Sequence, residues 1–322
     1  DAGAVVETDL CIVGAGAAGV TLAVELRDQG FDIVVLESGG FDYDDATQQL
    51  YDGDVLGNPM AGLMASRLRY FGGTTNHWAG YCRPLGEHDF AARAWVPHSG
   101  WPLARDELSA FYERAVEILD LRNTSFDAAS WEHELAPIYK RDDLSEVLPT
   151  TIFQLSPPTR FGPKYRDALE RASDVRVHLH ANLVDIETDA EARTVEAIRV
   201  ATLSGKSYRV RARKVVLATG GIENARLLLA ANSIAGAGLG NQHDLVGRYF
   251  MDHPGGVVAK VVFDAPTDIA RSPTPRATVA GFELPAAVCE AEQILNFHCK
   301  VFPASRSDPA GYRALRELAK NL

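Results

Sequence analysis

Apolar and polar residues alternate in two registers along this chain, and the changes of register predict its elements. Residues 10–13 are an unbroken apolar run, which reads as a buried strand. Spaced apolar positions from there to Gln29 read as a helix, and Ile33–Leu36 is a second buried strand that ends on Glu37. Strand, helix and strand over about residues 7–37 make a βαβ unit. Leu108, Phe111, Tyr112, Ala115, Ile118 and Leu119 recur at helical spacing within 105–121, and a further amphipathic helix is predicted over 163–172. Short strands follow at 175–179, 183–188, 195–202 and 207–217, with Gly205 and Lys206 turning between the last two. A helix over 221–232 runs into glycine-rich coil, and strand-like runs return at 257–263, 278–282 and 294–301. No period holds between residues 39 and 80. Gly39, Gly40, Asp42, Asp44, Asp45, Gly57-Asn58-Pro59 and Gly72-Gly73 break it up, and long loops in compact domains are usually functional.

Length and charge narrow the classes. A chain of 322 residues buries a large core and predicts two domains. With 32 basic against 43 acidic residues its formal charge is −11, which argues against nucleic acid or anionic membrane as the main partner. No apolar run approaches the roughly 18 residues of a membrane span. Cys11, Cys82, Cys289 and Cys299 have no CxxC spacing, so they are expected as reduced thiols with no disulfide framework and no metal site; Cys11 reads as a small core residue. A cytoplasmic location is expected. The first residue is not methionine, so a removed leader and a periplasmic location stay open.

The first βαβ unit carries the clearest chemistry. Its turn reads Gly14-Ala-Gly16-Ala17-Ala18-Gly19. Gly14 permits a tight turn, Gly16 lets a pyrophosphate approach the backbone, and Gly19 lets helix and strand pack closely. The helix N-terminus brings free N–H groups and about half a positive charge, which suit a diphosphate. Glu37 stands where a carboxylate can accept both hydroxyls of a ribose and would repel a 2′-phosphate, so a dinucleotide without that phosphate is expected. Two more segments fit the same ligand. Residues 67–80 read Arg-Leu-Arg-Tyr-Phe-Gly-Gly-Thr-Thr-Asn-His-Trp-Ala-Gly, a loop whose N–H and hydroxyl groups can wrap phosphate or the polar edge of a flat ring. Residues 215–229 form an apolar strand, a small-residue turn and a helix, which would bring a second helix N-terminus to the same sheet edge. Together they favour FAD over NAD.

Four blocks resemble the glucose–methanol–choline family of FAD-dependent oxidoreductases. They are Gly14–Gly19 with Glu37; Gly72-Gly73-Thr74-Thr75-Asn76-His77-Trp78; Ala218-Thr219-Gly220-Gly221-Ile222-Glu223-Asn224; and Val246-Gly247-Arg248-Tyr249-Phe250-Met251-Asp252-His253-Pro254. Trp95-Val-Pro-His98-Ser-Gly-Trp101-Pro is similar to bacterial members that act on sugars and glycosides. The resemblance implies an α/β fold: a discontinuous Rossmann-like FAD domain over 1–95 and 172–254, and an interleaved substrate domain on an antiparallel sheet over 96–171 and 255–322. It implies that Gly14, Gly16 and Gly19 hold the diphosphate and Glu37 the adenosine ribose, with Ala17, Ala18 and Ser38 also binding the cofactor. The backbone of Val184 would pair with adenine, and Gly73, Thr74 and Asn76 would line the diphosphate and flavin, with Gly72 also binding the cofactor. Trp78, Ala218, Gly220, Asn224, Asp252 and His253 would complete the surroundings. In some relatives a histidine at the His77 position is bonded to the flavin 8α-methyl; a covalent link and a simple contact are both open here.

The implied activity is oxidation of an alcohol group, on a sugar or glycoside, by hydride transfer to flavin N5, with oxygen or another carrier as electron acceptor. The family's catalytic base is a histidine in a final segment that has no match here, so no catalytic residue is assigned and the chain is expected to be C-terminally incomplete. His298, the last histidine, fits a strand of the substrate-domain sheet. Two alternatives remain. One is an FAD-binding subunit or fragment that needs a partner chain or the missing segment. The other is an NAD(P)H-dependent flavin monooxygenase or reductase, which would need a second GxGxxG that the chain does not contain.

Overall fold

The computed structural model describes residues 3–57, 60, 62–252, 255–257, 259–263 and 278–301. In chain order the elements are β1 (Ala4–Val13), α1 (Ala17–Leu26), β2 (Ile33–Leu36), α2 (Asp45–Gln48), β3 (Tyr81–Cys82), α3 (Glu87–Phe90) and α4 (Ser109–Ile118). Then come α5 (Asp142–Ser145), β4 (Thr150–Leu155), α6 (Phe161–Arg171), β5 (Val175–His178), β6 (Asn182–Thr188) and β7 (Val195–Ala201). The last are β8 (Ser207–Leu217), α7 (Gly221–Ala230), β9 (Thr278–Glu283), α8 (Ala286–Ala291) and β10 (His298–Cys299). The chain forms two compact units, residues 1–79 with 158–256 and residues 80–157 with 257–322.

The first unit is built on a six-stranded sheet of order β5-β2-β1-β8-β7-β6. β5, β2, β1 and β8 are parallel, while β7 and β6 return antiparallel. β2 is buried along its whole length, which explains its unbroken Ile-Val-Val-Leu run. β7 and β8 alternate instead, and their open face carries the pairs Arg199–Asp185 at 3.0 Å and Arg209–Glu187 at 2.8 Å. Cys11, Val13, Val34, Leu36, Ile186, Ile198, Val200, Val210 and Leu227 share one core. Burial pushes the Cys11 thiol up to about 12, in keeping with a packing role. Val13 pairs with both Leu36 and Leu217, so β1, β2 and β8 finish level with one another. That shared edge is where ligands of open α/β sheets bind.

The second unit has a four-stranded antiparallel sheet of order β10-β9-β4-β3. On one face Ile152 and Ala280 pack with Trp131 and Leu135, and Tyr139 meets Phe282 at 5.0 Å. The opposite face carries Tyr81, Phe153 and His298.

Several expectations are corrected. The compact units divide at 79/80 and 157/158, while the domains are expected to divide at 95/96 and 171/172; α6 packs on α1 and β5 of the first unit. α1 stops at Leu26 rather than Gln29: Arg27 leaves helical geometry, and Asp28 takes φ +61° while its N–H donates to Asp174 at 2.6 Å. Residues 105–108 form a 3-10 turn before the α-helix begins. No strand forms among the described residues of 257–263, where Val257 and Val262 are 89% and 90% exposed. Of 294–301 only His298 and Cys299 join a ladder; β9 ends at Glu283, opposite His298, so the residues before 298 have no partner on it. The four cysteines are unpaired. Among the described residues no helix is long and apolar enough to cross a membrane.

Candidate functional site

Three sequence blocks meet at the carboxyl edge of the first sheet, and they meet backbone to backbone. Gly14 takes φ +99°, and a Cβ there would lie 2.8 Å from the Ala218 carbonyl oxygen. A Cβ on Gly19 would lie 1.8 Å from the Gly14 oxygen, so α1 touches the turn directly. The second block then closes on the first. The Gly72 N–H donates to the Ala15 carbonyl at 2.8 Å, and Gly73, at φ +54°, has room for a Cβ only 2.9 Å from Gly16 Cα. A Cβ on Gly73 would crowd Gly16, and one on Gly72 would lie 2.4 Å from the Gly162 nitrogen, which is why both positions are glycine.

Gly73–Asn76 is a 3-10 turn, and α6 straps it down. Thr75 is buried; its hydroxyl donates to the Gly72 carbonyl at 2.6 Å and accepts the Phe161 N–H at 3.2 Å. Arg160 donates to the carbonyls of Thr75 and Trp78 at 3.0 and 2.9 Å, and the Trp78 indole N–H donates to the Thr159 carbonyl at 2.9 Å. Asn76 Nδ2 donates to the Phe71 carbonyl at 2.8 Å, and its buried Oδ1 has no hydrogen-bond partner among the described residues. Thr74 and His77 face solvent.

The third block is a braced turn. The Ala218 N–H donates to the Val13 carbonyl at 2.7 Å. Asn224 Oδ1 accepts from the Thr219 N–H at 3.0 Å and its hydroxyl at 2.5 Å, while Nδ2 donates to the Leu217 carbonyl at 3.2 Å. The side chain of Asn224 therefore works on the turn, and Gly220, at φ +87°, supplies the corner.

Glu37 is buried at 5% exposure. Its Oε2 accepts the Ala15 N–H at 2.8 Å and its Oε1 the Gly39 N–H at 2.9 Å. Burial pushes its carboxyl up; the two N–H groups and Arg69 pull the other way. Each oxygen keeps a further lone pair for a ribose hydroxyl. Beside it, the Ser38 hydroxyl donates to Asn182 at 2.5 Å and accepts from Arg69 at 2.7 Å. Asn182 begins β6, whose pairing with β7 slips between Leu183 and Asp185. Val184 is the extra residue of that bulge, 45% exposed, and its backbone groups lie outside the ladder.

These residues fit an FAD. Nothing lies within 4 Å of a Cβ built on Gly16, so the backbone is open to close approach. α1 has no side-chain cap and no acid in its first turn, and Ala17 and Ala18 are exposed. The N–H groups there are left for an acceptor from outside the chain. Asp252 lies exposed in coil, and His253 is outside the described residues.

A buried charge cluster beside the site escaped the sequence reading. Glu223, 5% exposed, faces Arg67 at 3.2 Å, Arg69 at 3.6 Å and Arg226 at 2.5 Å. The guanidiniums of Arg67 and Arg69 also lie 3.9 and 4.6 Å from the Tyr51 ring centre. The cluster ties the strand-like Arg67-Leu-Arg69 segment to the first turn of α7, and so ties the second block to the third. Only the alternation of two arginines hinted that both point the same way.

Glu37 is testable at once. Glu37→Gln keeps one acceptor and loses the charge; Glu37→Ala removes both acceptors from buried N–H groups, at about 1–3 kcal/mol each. We expect partial loss of retained flavin in the first variant, and a larger loss with a lowered melting temperature in the second. Full flavin content after desalting in both would remove Glu37 as a cofactor ligand.

Comparison with known proteins agrees with this geometry. A family model described as FAD dependent oxidoreductase matches residues 9–242. The 2-methyl-1,2-propanediol dehydrogenase of Mycolicibacterium austroafricanum is 24% identical over 320 residues, 80% of this chain and 57% of that protein. The fructose dehydrogenase large subunit of Gluconobacter japonicus is 48% identical over 71 residues, 22% of this chain and 13% of its own. Among solved structures, pyridoxine 4-oxidase from Mesorbium loti is 19% identical with a TM-score of 0.48, over 69% of this chain and 51% of that one. A fungal aryl-alcohol oxidase is 12% identical with a TM-score of 0.45, over 68% and 47%. The chain thus spans about half the length of the relatives it matches. With most of its length inside that family model, the chain belongs to the FAD-dependent oxidoreductases, and its relatives are of the glucose–methanol–choline type that its sequence blocks resemble.

Proposed function

We propose that this chain carries the FAD-holding part of an enzyme that oxidises an alcohol group on a sugar or glycoside. The observation that supports it most is the seating of Gly72-Gly73 directly on Ala15-Gly16, which joins the diphosphate turn to the loop expected to line the flavin. The names of two relatives, a diol dehydrogenase and the large subunit of a fructose dehydrogenase, support alcohol and sugar chemistry. When bound, FAD supplies the acceptor for a hydride taken from the alcohol carbon. The residues hold and orient it. Gly14, Gly16, Gly19 and the N–H groups of Ala17 and Ala18 take the diphosphate; Glu37 takes the ribose hydroxyls. The unladdered backbone of Val184 takes the adenine edge, and Gly73, Thr74 and Asn76 line the diphosphate and ring. The first compact unit acts as the FAD domain and the second as the substrate domain. Electrons leave to oxygen or to another carrier.

Anaerobic titration of the yellow protein with a panel of sugars and alcohols tests this. Bleaching by one of them is the expected result. Bleaching by NADPH alone would replace the proposal with a reductase or monooxygenase. A second reading has one observation in its favour, since a relative 48% identical over 71 residues is named as a large subunit. Protein that is yellow yet inert until a partner chain is added would establish it.

A further inference from the structure

Arg69 joins the buried charge cluster to the adenosine end of the site. Its side chain is 11% exposed. The buried Gln48 side chain fixes its backbone, accepting the Arg69 N–H at 3.0 Å and donating to the Arg67 carbonyl at 2.7 Å. Arg69 Nη1 lies 3.6 Å from Glu223 and makes no hydrogen bond, while Nε donates to the Ser38 hydroxyl at 2.7 Å. A guanidinium only donates, so the Ser38 hydroxyl must pass its own proton onward. It does so to Asn182 Oδ1 at 2.5 Å. That fixes the Asn182 amide, whose Nδ2 donates to the Ala201 carbonyl at 3.2 Å just before the bulge at Val184.

We propose that Arg69 is the positioning residue of the adenosine end, acting as counter-charge to Glu37 and setting the hydrogen-bond direction that runs through Ser38 and Asn182 to the bulge.

Charge balance supports the pairing. Glu223 faces three arginines, of which Arg67 and Arg69 are buried, and one carboxylate cannot neutralise both. Glu37 is the other buried acid among the described residues of the first unit, and it directly precedes Ser38. Its oxygens accept the backbone N–H groups of Ala15 and Gly39, and the charged group that acts on it most strongly is Arg69. Two buried guanidiniums then balance two buried carboxylates. The Tyr51 ring centre lies 4.6 Å from the Arg69 guanidinium, and its phenol feels both Arg69 and Glu37. The imidazoles near this edge are engaged elsewhere. His178 bonds Tyr208 at 2.8 Å, and His180 lies against Gly40 and acts on Asp44. The inference rests on the proposed seat of the ribose on Glu37.

The rate of flavin release from diluted holoprotein, read as FAD fluorescence from mildly acid to mildly alkaline pH, provides the test. The ribose is held by the carboxylate, so retention is complete above the Glu37 pKa and is lost as pH falls through it. Removing a nearby positive charge raises that pKa. Arg69→Met should therefore move the onset of fast release upward by about one pH unit or more, which is about tenfold faster release between the two onsets. Arg69→Lys keeps the charge and should keep the onset, and Glu37→Gln should show none. A purely structural role would lower the melting temperature of both Arg69 variants and leave the onset in place. Should Arg69→Met be too unstable to hold flavin, the melting temperature of its apoprotein decides. Adding Glu37→Gln to it should raise that temperature, because a buried carboxylate without its counter-charge is removed. An unmoved onset in Arg69→Met, an onset moved as far in Arg69→Lys, or a double variant no more stable than Arg69→Met overturns the proposal. An onset that persists in Glu37→Gln also overturns it, by removing Glu37 from the ribose. Loss of that onset in Glu37→Gln with none moved in Arg69→Met would sink the role of Arg69 and leave the ribose seat standing.

Discussion

Gly16→Val should give a folded protein that has lost its flavin, whereas Gly19→Ala should not fold stably at all. The two glycines lie three residues apart and their surroundings are opposite. Gly16 sits at φ −81°, a conformation open to any residue, with nothing within 4 Å of a built Cβ. The Cβ of a valine there has no described atom within 4 Å, and its methyls project toward the space a diphosphate needs. Losing two charge-assisted hydrogen bonds at about 1.5–3 kcal/mol each predicts at least ~100-fold weaker FAD binding. Gly19 has the Gly14 carbonyl oxygen only 1.8 Å from its Cβ position, and the atoms behind are strand backbone. α1 would have to lift off β1, and the overpacking cost should reach about 3 kcal/mol or more. Thermal melts with flavin absorbance after desalting separate the outcomes. Stoichiometric flavin in Gly16→Val, or a parental melting temperature in Gly19→Ala, would contradict this account of the turn.

Glu223→Ala should be the most destabilising substitution of a charged residue in the first unit. It leaves Arg67 and Arg69, whose side chains are 15% and 11% exposed, buried without the carboxylate they face. Removing one partner of a buried ion pair costs about 3–5 kcal/mol, because the remaining charge cannot regain its hydration. Arg226 binds the same carboxylate from a position 52% exposed to water, so Arg226→Ala should cost about 1 kcal/mol or less. Urea unfolding of the two variants measures the contrast. Equal midpoints would show that the cluster is hydrated and contributes little. Loss of Glu223 should also loosen Arg67-Leu-Arg69 from α7, so flavin retention should fall with stability rather than independently of it.

Residues 10–37 could be read as a unit because every signal in them is local. The apolar run, the three glycines and the terminal acid lie within 28 positions, and a βαβ turn uses residues close in sequence. The strands at 207–217 and 278–282 were legible for the same reason, as period-two patterns between turn residues. The run at 257–263 shows the limit. Its composition suits a strand, but a strand needs a neighbour to receive its hydrogen bonds, and composition does not say whether one is there.

What the amino-acid order determined by itself was the cofactor class: a glycine corner, a helix start and an acid at fixed spacing accept a dinucleotide wherever the fold puts them. Only the tertiary structure decided what that acid also does. Glu37 braces Ala15 and Gly39 before it meets any ribose, and this depends on burial that no local pattern reports. It also decided that Gly73 rests on Gly16 and that Arg67 and Arg69 find their counter-charge on Glu223, contacts that join residues 57 and more than 150 positions apart. Such contacts arise because backbone and charge must be satisfied inside a closed core, and the partner that satisfies them is chosen by packing rather than by sequence distance.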